Sequence, residues 1–530
     1  MTGSPTYAPY AVCRAPNAMV SSVDNLASAA GLRALSAGGS AVDAAVAANA
    51  VLSVTLPNQC GLGGDLFALV HRPGEPPLAL NASGRSGSGA DPAALRAGGF
   101  RGMPPKRQVA SVTVPGCADG WLALHDRFGR LALADLLAPA IGYARDGFPA
   151  SPYLAQAIAR AGARIHQEIA AGGAPAAGQR IRRADVGRML DGIARHGRAG
   201  FYEGEFGEAL VRLGEGEFAE SDLSAVNADW VPALSRPAWG RNIWTVPPNS
   251  QGYITLAAAW MADQLGLPGD PRDPLWAHLL IEASRQAAYD RLDVLHETAS
   301  GPELLSPARL GPRAARISAE RAADLRQPVA KGGTTYLCAV DGDGLAVSLM
   351  QSNAMGFGSE LVVPGTGVFL HNRGIGFSLT PGHPAEYGPR RRPPHTLSPV
   401  LVTEGADQLC AVLGTRGGDA QPQVVLQLLA RLLGAEQDAA VAVAAGRWAL
   451  RATDADDGFS TWDAAGQVRV QVEGQAPPSW ADGLTRRGHT VEVTPPFSHD
   501  FGHAQVIVRR AGGLEGAADP RSLSGATMGF

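Results

Sequence analysis

The chain has 530 residues, 45% of them apolar and 18% charged, with a net charge of −4 and a pI near 6.3. That length points to two or more domains or one large enzyme fold, and the apolar content can fill a sizeable core, which excludes long-range disorder. No basic patch or charge block invites nucleic acid or an anionic membrane surface, so a small molecule is the expected partner.

In chain order, the N-terminal stretch MTGSPTYAPYAVCRAPNAMVSS has no basic segment followed by an apolar core, so it does not read as a secretory signal, and the expected location is cytoplasmic. SSVDNLASAAGLRALSAGG predicts a helix ending at Gly38-Gly39. Ser40 then caps a second helix, AVDAAVAANAVLSVTL, which stops before Pro57. This run carries Asp43 and Asn49 and is too short and polar to span a bilayer. The glycine-rich turn CGLGGD leads into strands LFALVHR and LALNAS. ASVTVPG reads as a further strand, followed by helices DGWLALHDRFG and LADLLAPAIGYARDG, and residues 150–235 read as helical and charged. NIWTVPPNSQGYITLAAAWMADQL gives strand, loop and helix, and WAHLLIEASRQAAYDRLDVL an amphipathic helix.

Residues 297–333 are rich in Pro, Arg, Ala and Gly and lose hydrophobic periodicity, as an exposed segment would. At Thr334 the pattern turns to strands. TTYLCAV, the turn DGDG and LAVSLM form a hairpin, ELVVPGTGVFLHNR supplies more strand, and LCAVLGT runs through Gly417-Gly418-Asp419 into helix QPQVVLQLLARLL. The C-terminal stretch from VRVQVEG to AQVIVRR is mostly strand. Mixed helices and strands place the fold in the α+β class or a layered αββα arrangement. The cysteines, Cys13, Cys60, Cys117, Cys338 and Cys410, are odd in number and contain no CxxC, which suits buried thiols rather than a disulfide framework.

Nucleotide-binding, nucleophile-elbow and zinc-protease motifs are missing from the sequence. His499 and His503 flank a glycine in a loop-like stretch and read as surface or turn histidines rather than a metal pair. The informative segment is AKGGTTYLCAVDGDGLAVSLMQSNAMGFGS. An exposed linker ends in Gly332-Gly333, and a Thr opens a buried hairpin. Thr334 could attack the Gly333 carbonyl, where the missing side chain leaves the path open. Hydrolysis of the resulting ester would leave Thr334 with a hydroxyl and a free α-amine of pKa about 7.7–8.0, usable as a general base. On spacing alone, a plain hairpin with Thr as a good strand residue is the simpler reading.

A set of blocks tips that balance. GGSAVDAAVAANAVLSVTLPNQCGLGGDLFALV, SVTVPGCADGW, LLAPAIGYARDGF, VPPNSQG, HLLIEASRQAAYDR, GGTTYLCAVDGDGLAVS, GFGSELVVPGTGVFLHNRG, PPHTLSPVLV and LGTRGGDAQPQ occur in this order. From about residue 10 to 510 the chain resembles the gamma-glutamyltransferases and related acylases. The resemblance implies a four-layer αββα N-terminal nucleophile hydrolase made as a precursor. Cleavage at Gly333–Thr334 would give a large fragment, 1–333, and a small one, 334–530, that form one intertwined unit, alone or as a dimer of heterodimers. It implies Thr334, rather than Thr335, as nucleophile, Ser352 as the hydroxyl that bonds it, and Gly417 and Gly418 as oxyanion donors. A strand-to-helix turn of flexible glycines can aim N–H groups at developing charge. It calls for no metal or organic cofactor.

The chain also departs from the family pattern. Glutamyl-specific members carry an acidic residue for the substrate α-amine in the segment matching HNRGIGFS, where this chain has Ile375 and Gly376. The family's paired serines become His395 and Thr396, and the asparagine after the hydroxyl position is displaced, with Asn353 adjacent and Ala354 in its place. A site missing that anion would leave an ammonium unpaired, which points to an amide substrate without a free α-amine. Arg85, Arg373 and Arg416 are the candidates for binding a small carboxylate, with Arg85 first and Asn353, His395 and Thr396 beside it. The branch that includes oxamate amidohydrolase fits these changes. The alternatives are a gamma-glutamyltransferase or glutathione hydrolase, and a non-catalytic binding homologue.

Overall fold

The computed structural model describes residues 12–169, 173–325, 333–452 and 468–530. Gly332, at the end of the linker, lies outside the described residues. Two seven-stranded sheets form the centre. One runs in the order Ala526–Gly529, Met19–Ser22, Gly333–Val340, Ala346–Ala354, Asp65–His71, Leu78–Ala82 and Asp229–Pro232. The other runs Cys13–Ala15, Gly513–Ala518, Ala504–Arg510, Gln408–Thr415, Val400–Glu404, Arg241–Thr245 and Leu234–Ala238. Neighbours in both are antiparallel.

The alternation of side chains along these strands builds three cores. Between the sheets lie Phe67, Tyr336, Met350, Leu401, Val412 and Ile507. The outer face of the first sheet is covered by helices Asn25–Ser36, Ala41–Thr55, Cys117–Phe128 and Leu133–Asp146. The outer face of the second carries Tyr253–Leu265, Pro274–Ala288 and Gln421–Leu429. The result is a four-layer αββα sandwich. Ala41–Thr55 is buried on every side, which its alanines allow by letting neighbouring backbones approach closely. Its start is set by a capping box in which Ser40 and Asp43 satisfy each other's backbone N–H.

Several elements differ from their sequence reading. Met19–Ser22 is a strand, and the first helix begins only after Asp24, whose side chain accepts the Leu26 N–H. ASVTVPG is a short 3₁₀ turn followed by irregular chain, with the Val114 N–H donated to Arg85 O. Pro274–Ala288 is nearly all buried rather than amphipathic, because helices Tyr253–Leu265, Pro307–Ala314, Gln421–Leu429 and Pro478–Arg486 pack around it. Helices Gly301–Leu304 and Pro307–Ala314 interrupt the segment expected to be exposed, with Leu304, Leu305 and Leu310 buried. Farther along, His278 Nε2 donates to Ser318 O at 2.7 Å, Glu282 accepts the Ala323 N–H at 2.9 Å and Arg285 donates to Leu325 O at 2.7 Å. His489 closes this buried group at 2.8 Å from His278. The chain leading to the junction is thus pinned to a core helix.

The two sheets meet closely at Gly414, where a Cβ would lie 2.5 Å from the Tyr336 ring. Gly414→Ala is therefore expected to destabilise the protein by about 1–3 kcal/mol through overpacking. A lowered denaturation midpoint in urea would show it, and an unchanged midpoint would refute the close packing.

Candidate active site

Thr334 is the second residue of strand Gly333–Val340 and is 1% exposed. Its hydroxyl donates to Ser352 Oγ at 3.2 Å. Ser352 Oγ donates in turn to the Gly333 carbonyl oxygen and accepts the Ala354 N–H at 2.8 Å and Arg373 Nη2 at 3.4 Å. Strand pairing explains the convergence. Gly333 faces Ala354 while Thr335 faces Gln351, so the ladder slips by one residue at the junction, and a bulge of this kind redirects side chains. Ala354 absorbs the slip at φ 71°, a conformation that costs a non-glycine residue about 1–3 kcal/mol.

The backbone N–H of Thr334 donates to Gln59 Oε1 at 3.0 Å. Gln59 is oriented by its own amide group, which donates to Tyr153 Oη at 2.8 Å and Asn58 O at 2.9 Å. Arg416 Nη1 reaches the same Gln59 oxygen at 3.4 Å, and its guanidinium stacks 5.2 Å from the Tyr153 ring centre. Immediately after Arg416, Gly417 and Gly418 take φ values of 142° and 56°, open to glycine and strained for other residues. They turn the strand Gln408–Thr415 toward helix Gln421–Leu429. Gln251 Nε2 bridges Gly418 O and Thr396 O at 2.9 and 3.0 Å, tying this turn to the HTLSP segment.

Arg373 is 2% exposed and donates through Nη1 to Thr396 Oγ1 at 3.1 Å. Burial pulls its pKa down to about 10, against the opposing pull of Asp65 and Asp419, so it keeps its charge at neutral pH. Asp65 supplies a buried counter-charge. Burial works against its carboxylate, but His371, His395 and the Gly84 N–H outweigh that and push it down to about 2. Its carboxylate accepts the Gly84 N–H at 2.9 Å and His395 Nε2–H at 3.2 Å. His395 Nδ1 accepts the Leu397 N–H, so both ring nitrogens are occupied in the neutral form. Burial and then Arg373 hold its pKa down to about 3.

The structure distributes the expected site residues unevenly. Gly333, Thr334, Ser352, Arg373 and Thr396 form one hydrogen-bonded line, and His395 joins it through Asp65. Arg416 lies on the side of the Thr334 backbone nitrogen, joined to it through Gln59. Arg85 sits apart, its guanidinium between Asp229 at 3.6 Å and Glu297 at 3.7 Å. Asn353 donates its side-chain amide to Pro57 O at 3.1 Å and its backbone N–H to Gln59 O at 3.0 Å, bracing the glycine turn. His499 is half-buried at the start of a 3₁₀ turn, as expected, whereas His503 is not a surface residue. They hydrogen-bond each other at 3.1 Å against Tyr153, and His503 is buried. Gln59, Asp65, Tyr153 and Gln251 do not stand out from the sequence as site residues, although Gln59, Asp65 and Gln251 lie inside the matching blocks; Tyr153 carries no signal.

The gamma-glutamyltranspeptidase family model matches residues 27–529. The chain belongs to the gamma-glutamyltranspeptidase family. It is 35% identical to the oxamate amidohydrolase proenzyme of Klebsiella pneumoniae, covering 96% of this chain and 97% of that one. It is 33% identical to a glutathione hydrolase-like proenzyme of Bacillus subtilis, over 97% of this chain and 98% of the relative. The solved structure of a cephalosporin acylase from Bacillus halodurans superposes with a TM-score of 0.88 at 34% identity, over 100% of this chain and 99% of that one. The family thus combines the αββα frame with relatives named as hydrolase proenzymes.

Buried histidines make the stability of this family member depend on pH. His489 is held down to about 3 by burial, then by His278, Arg285 and Arg487, and unfolding returns it to about 6.5. Its contribution is therefore complete above about 6.5 and lost as pH falls below that value, at about 1.4 kcal/mol per pH unit. Asp24, raised to about 6 by burial, acts in the opposite sense, so the readout is a difference. Between about pH 6.5 and 5, urea midpoints of the unaltered protein should fall more steeply than those of His489→Gln, and parallel slopes would refute this.

Proposed function

We propose that the protein is a self-processing amidohydrolase, cut at Gly333–Thr334, in which Thr334 cleaves the amide bond of a small carboxylate-bearing substrate of the oxamate type. The observation that carries this reading is the buried line from the Gly333 carbonyl through Ser352 to Arg373 and Thr396.

In the precursor, Thr334 Oγ1 attacks the Gly333 carbonyl carbon while Ser352 polarises its oxygen. The C–N bond breaks, the nitrogen gains a proton, and the acyl group moves to the threonine oxygen. Water hydrolyses that ester, leaving a carboxylate on Gly333 and a free amine on Thr334. The same hydroxyl then attacks the substrate amide and passes its proton through the amine to the leaving ammonia. Gly417 and Gly418 are assigned to the oxyanion, and water releases the acid from the Thr334 ester. Both sheets contain strands from 1–333 and from 334–530, so the two fragments would stay paired after cleavage.

The surroundings favour an anionic substrate. Arg373 and Arg416 approach Thr334 from two sides, and Asp65 is occupied by His395 and Gly84. An acidic residue in place of Gly376 would be crowded out, since a Cβ there would sit 2.5 Å from Pro394 O. An ammonium group would meet cations rather than a carboxylate. Arg373, with Thr396 beside it, is the assigned carboxylate partner, by a charge-assisted contact.

Intact mass tests the first step. Unaltered protein should give fragments ending at Gly333 and starting at Thr334, and Thr334→Ala should remain whole. A folded, unaltered chain that stays whole would overturn the reading. For the second step, Arg373→Gln should lower kcat/KM on oxamate about tenfold to a hundredfold. Faster turnover of a gamma-glutamyl anilide than of oxamate would favour a glutathione hydrolase instead.

A further inference from the structure

Amide hydrolysis by Thr334 needs its new amine as a free base, so any role for the residues around that amine rests on the proposed function. An α-amine with a pKa of about 7.7–8.0 is mostly protonated at neutral pH and in that state cannot take the proton of Oγ1. We propose that Arg416 and Gln59 form a positioning pair that keeps the Thr334 amine neutral and turns its lone pair toward its own hydroxyl.

The geometry rests on one oxygen. Gln59 Oε1 accepts the Thr334 N–H at 3.0 Å and Arg416 Nη1 at 3.4 Å. The cation and the amine nitrogen can therefore be no farther apart than those two contacts laid end to end. At such a separation a like charge disfavours the protonated amine, by about one pH unit or more when both are buried. Gln59 cannot turn its NH₂ group toward the amine without losing its bonds to Tyr153 and Asn58. Its oxygen therefore takes one amine N–H and leaves the lone pair free.

Arg416 is held in this place by the His499 carbonyl and the Tyr153 ring. Its field already reaches its neighbours. His499 and His503 are held low by burial first and by Arg416 next. The other side chains around Thr334 do not cancel this charge, and the Gly333 carboxylate left by cleavage starts on the Ser352 side, which faces Arg373. Arg373 adds a second cation through Ser352. The Cys60 thiol, near Thr335, is pushed up to about 12 by burial and is neutral. The buried carboxylates of Asp65 and Asp419 are engaged, one by His395 and Gly84 and the other by Arg291 at 2.8 Å.

The test uses the cleaved enzyme and three variants, Arg416→Gln, Arg416→Lys and Gln59→Glu, each first checked for the Thr334 terminus by intact mass. Two pH titrations are then run: kcat/KM on oxamate, and the rate of trace acetylation of the Thr334 amine by acetic anhydride, read by peptide mass. Arg416→Gln should raise the acid-limb midpoint by about one unit, a tenfold loss of kcat/KM well below it, with KM changed severalfold at most. Arg416→Lys should stay with the unaltered enzyme. Gln59→Glu, which places an anion on the amine, should raise the midpoint further and decides the matter if Arg416→Gln fails to fold or cleave. Midpoints that coincide in the unaltered and substituted enzymes would overturn the inference while leaving the proposed function intact. So would a large rise in KM at a fixed midpoint, which would make Arg416 a substrate-binding residue. An unaltered protein without a Thr334 terminus would overturn both.

Discussion

The site depends on a guanidinium kept charged in the protein interior, one hydroxyl away from Thr334. Burying a cation costs several kcal/mol unless charge and hydrogen bonds are supplied with it. Arg373 meets that cost with Ser352 and Thr396 as hydroxyl acceptors and with Asp65 as the nearby negative charge. Asp65 must then stay ionised, so it accepts the Gly84 N–H and a neutral imidazole rather than a second cation. His395 can serve only as a neutral donor because Leu397 occupies its other nitrogen. His395 and Thr396, in place of the paired serines that the resemblance implies, are thus part of one electrostatic arrangement. Changing either alone would leave a buried group without a partner.

A second constraint comes from where the junction lies. Gly333–Thr334 opens a strand in the middle of a sheet, with Met19–Ser22 on one side and Ala346–Ala354 on the other. Those neighbours come from both sides of the junction, so the geometry for attack exists only once the whole chain has folded. The bulge opposite Thr334 matters for the same reason. A regular ladder would pair the junction evenly and give Ser352 no cause to meet both the Thr334 hydroxyl and the Gly333 carbonyl.

Much of this architecture was legible in the sequence, and the gaps have physical causes. Ser40 and Pro57 marked the ends of the Ala41–Thr55 helix through capping and steric rules that act locally. The hairpin from Thr334 was equally plain from its alternation and turn. ASVTVPG failed as a strand because its partners are single contacts from distant loops, which no local pattern records. The helix Pro274–Ala288 reads as amphipathic because His278, Glu282 and Arg285 are polar, yet they are buried by bonds to the chain ahead of the junction. In the site, Thr334, Ser352 and the glycine pair stood out through the resemblance to the family, since spacing alone reads as a plain hairpin and a tight turn. Arg85 stood out by proximity in sequence, but position along a strand says nothing about which carboxylates a long side chain will find. Asp65 and Gln59 sat inside the glycine turn without a distinguishing pattern, since their roles depend on His395, Tyr153 and Arg416, all far along the chain.

The two arginines divide the space around Thr334 between its two functional groups. Arg373 acts on the hydroxyl side, through Ser352, where a substrate carboxylate and a developing oxyanion would both gain from a cation. In the proposed arrangement Arg416 acts on the nitrogen side, through Gln59, where a cation penalises an ammonium. An enzyme that binds a free α-amine in its substrate needs an anion near the nucleophile, and that anion would raise the pKa of the enzyme's own amine. Replacing it by Ile375 and Gly376, and surrounding Thr334 with arginines, changes both quantities together. Under the proposed function, substrate choice and the protonation state of the Thr334 amine are coupled through the same field, and a change made for one would be felt by the other.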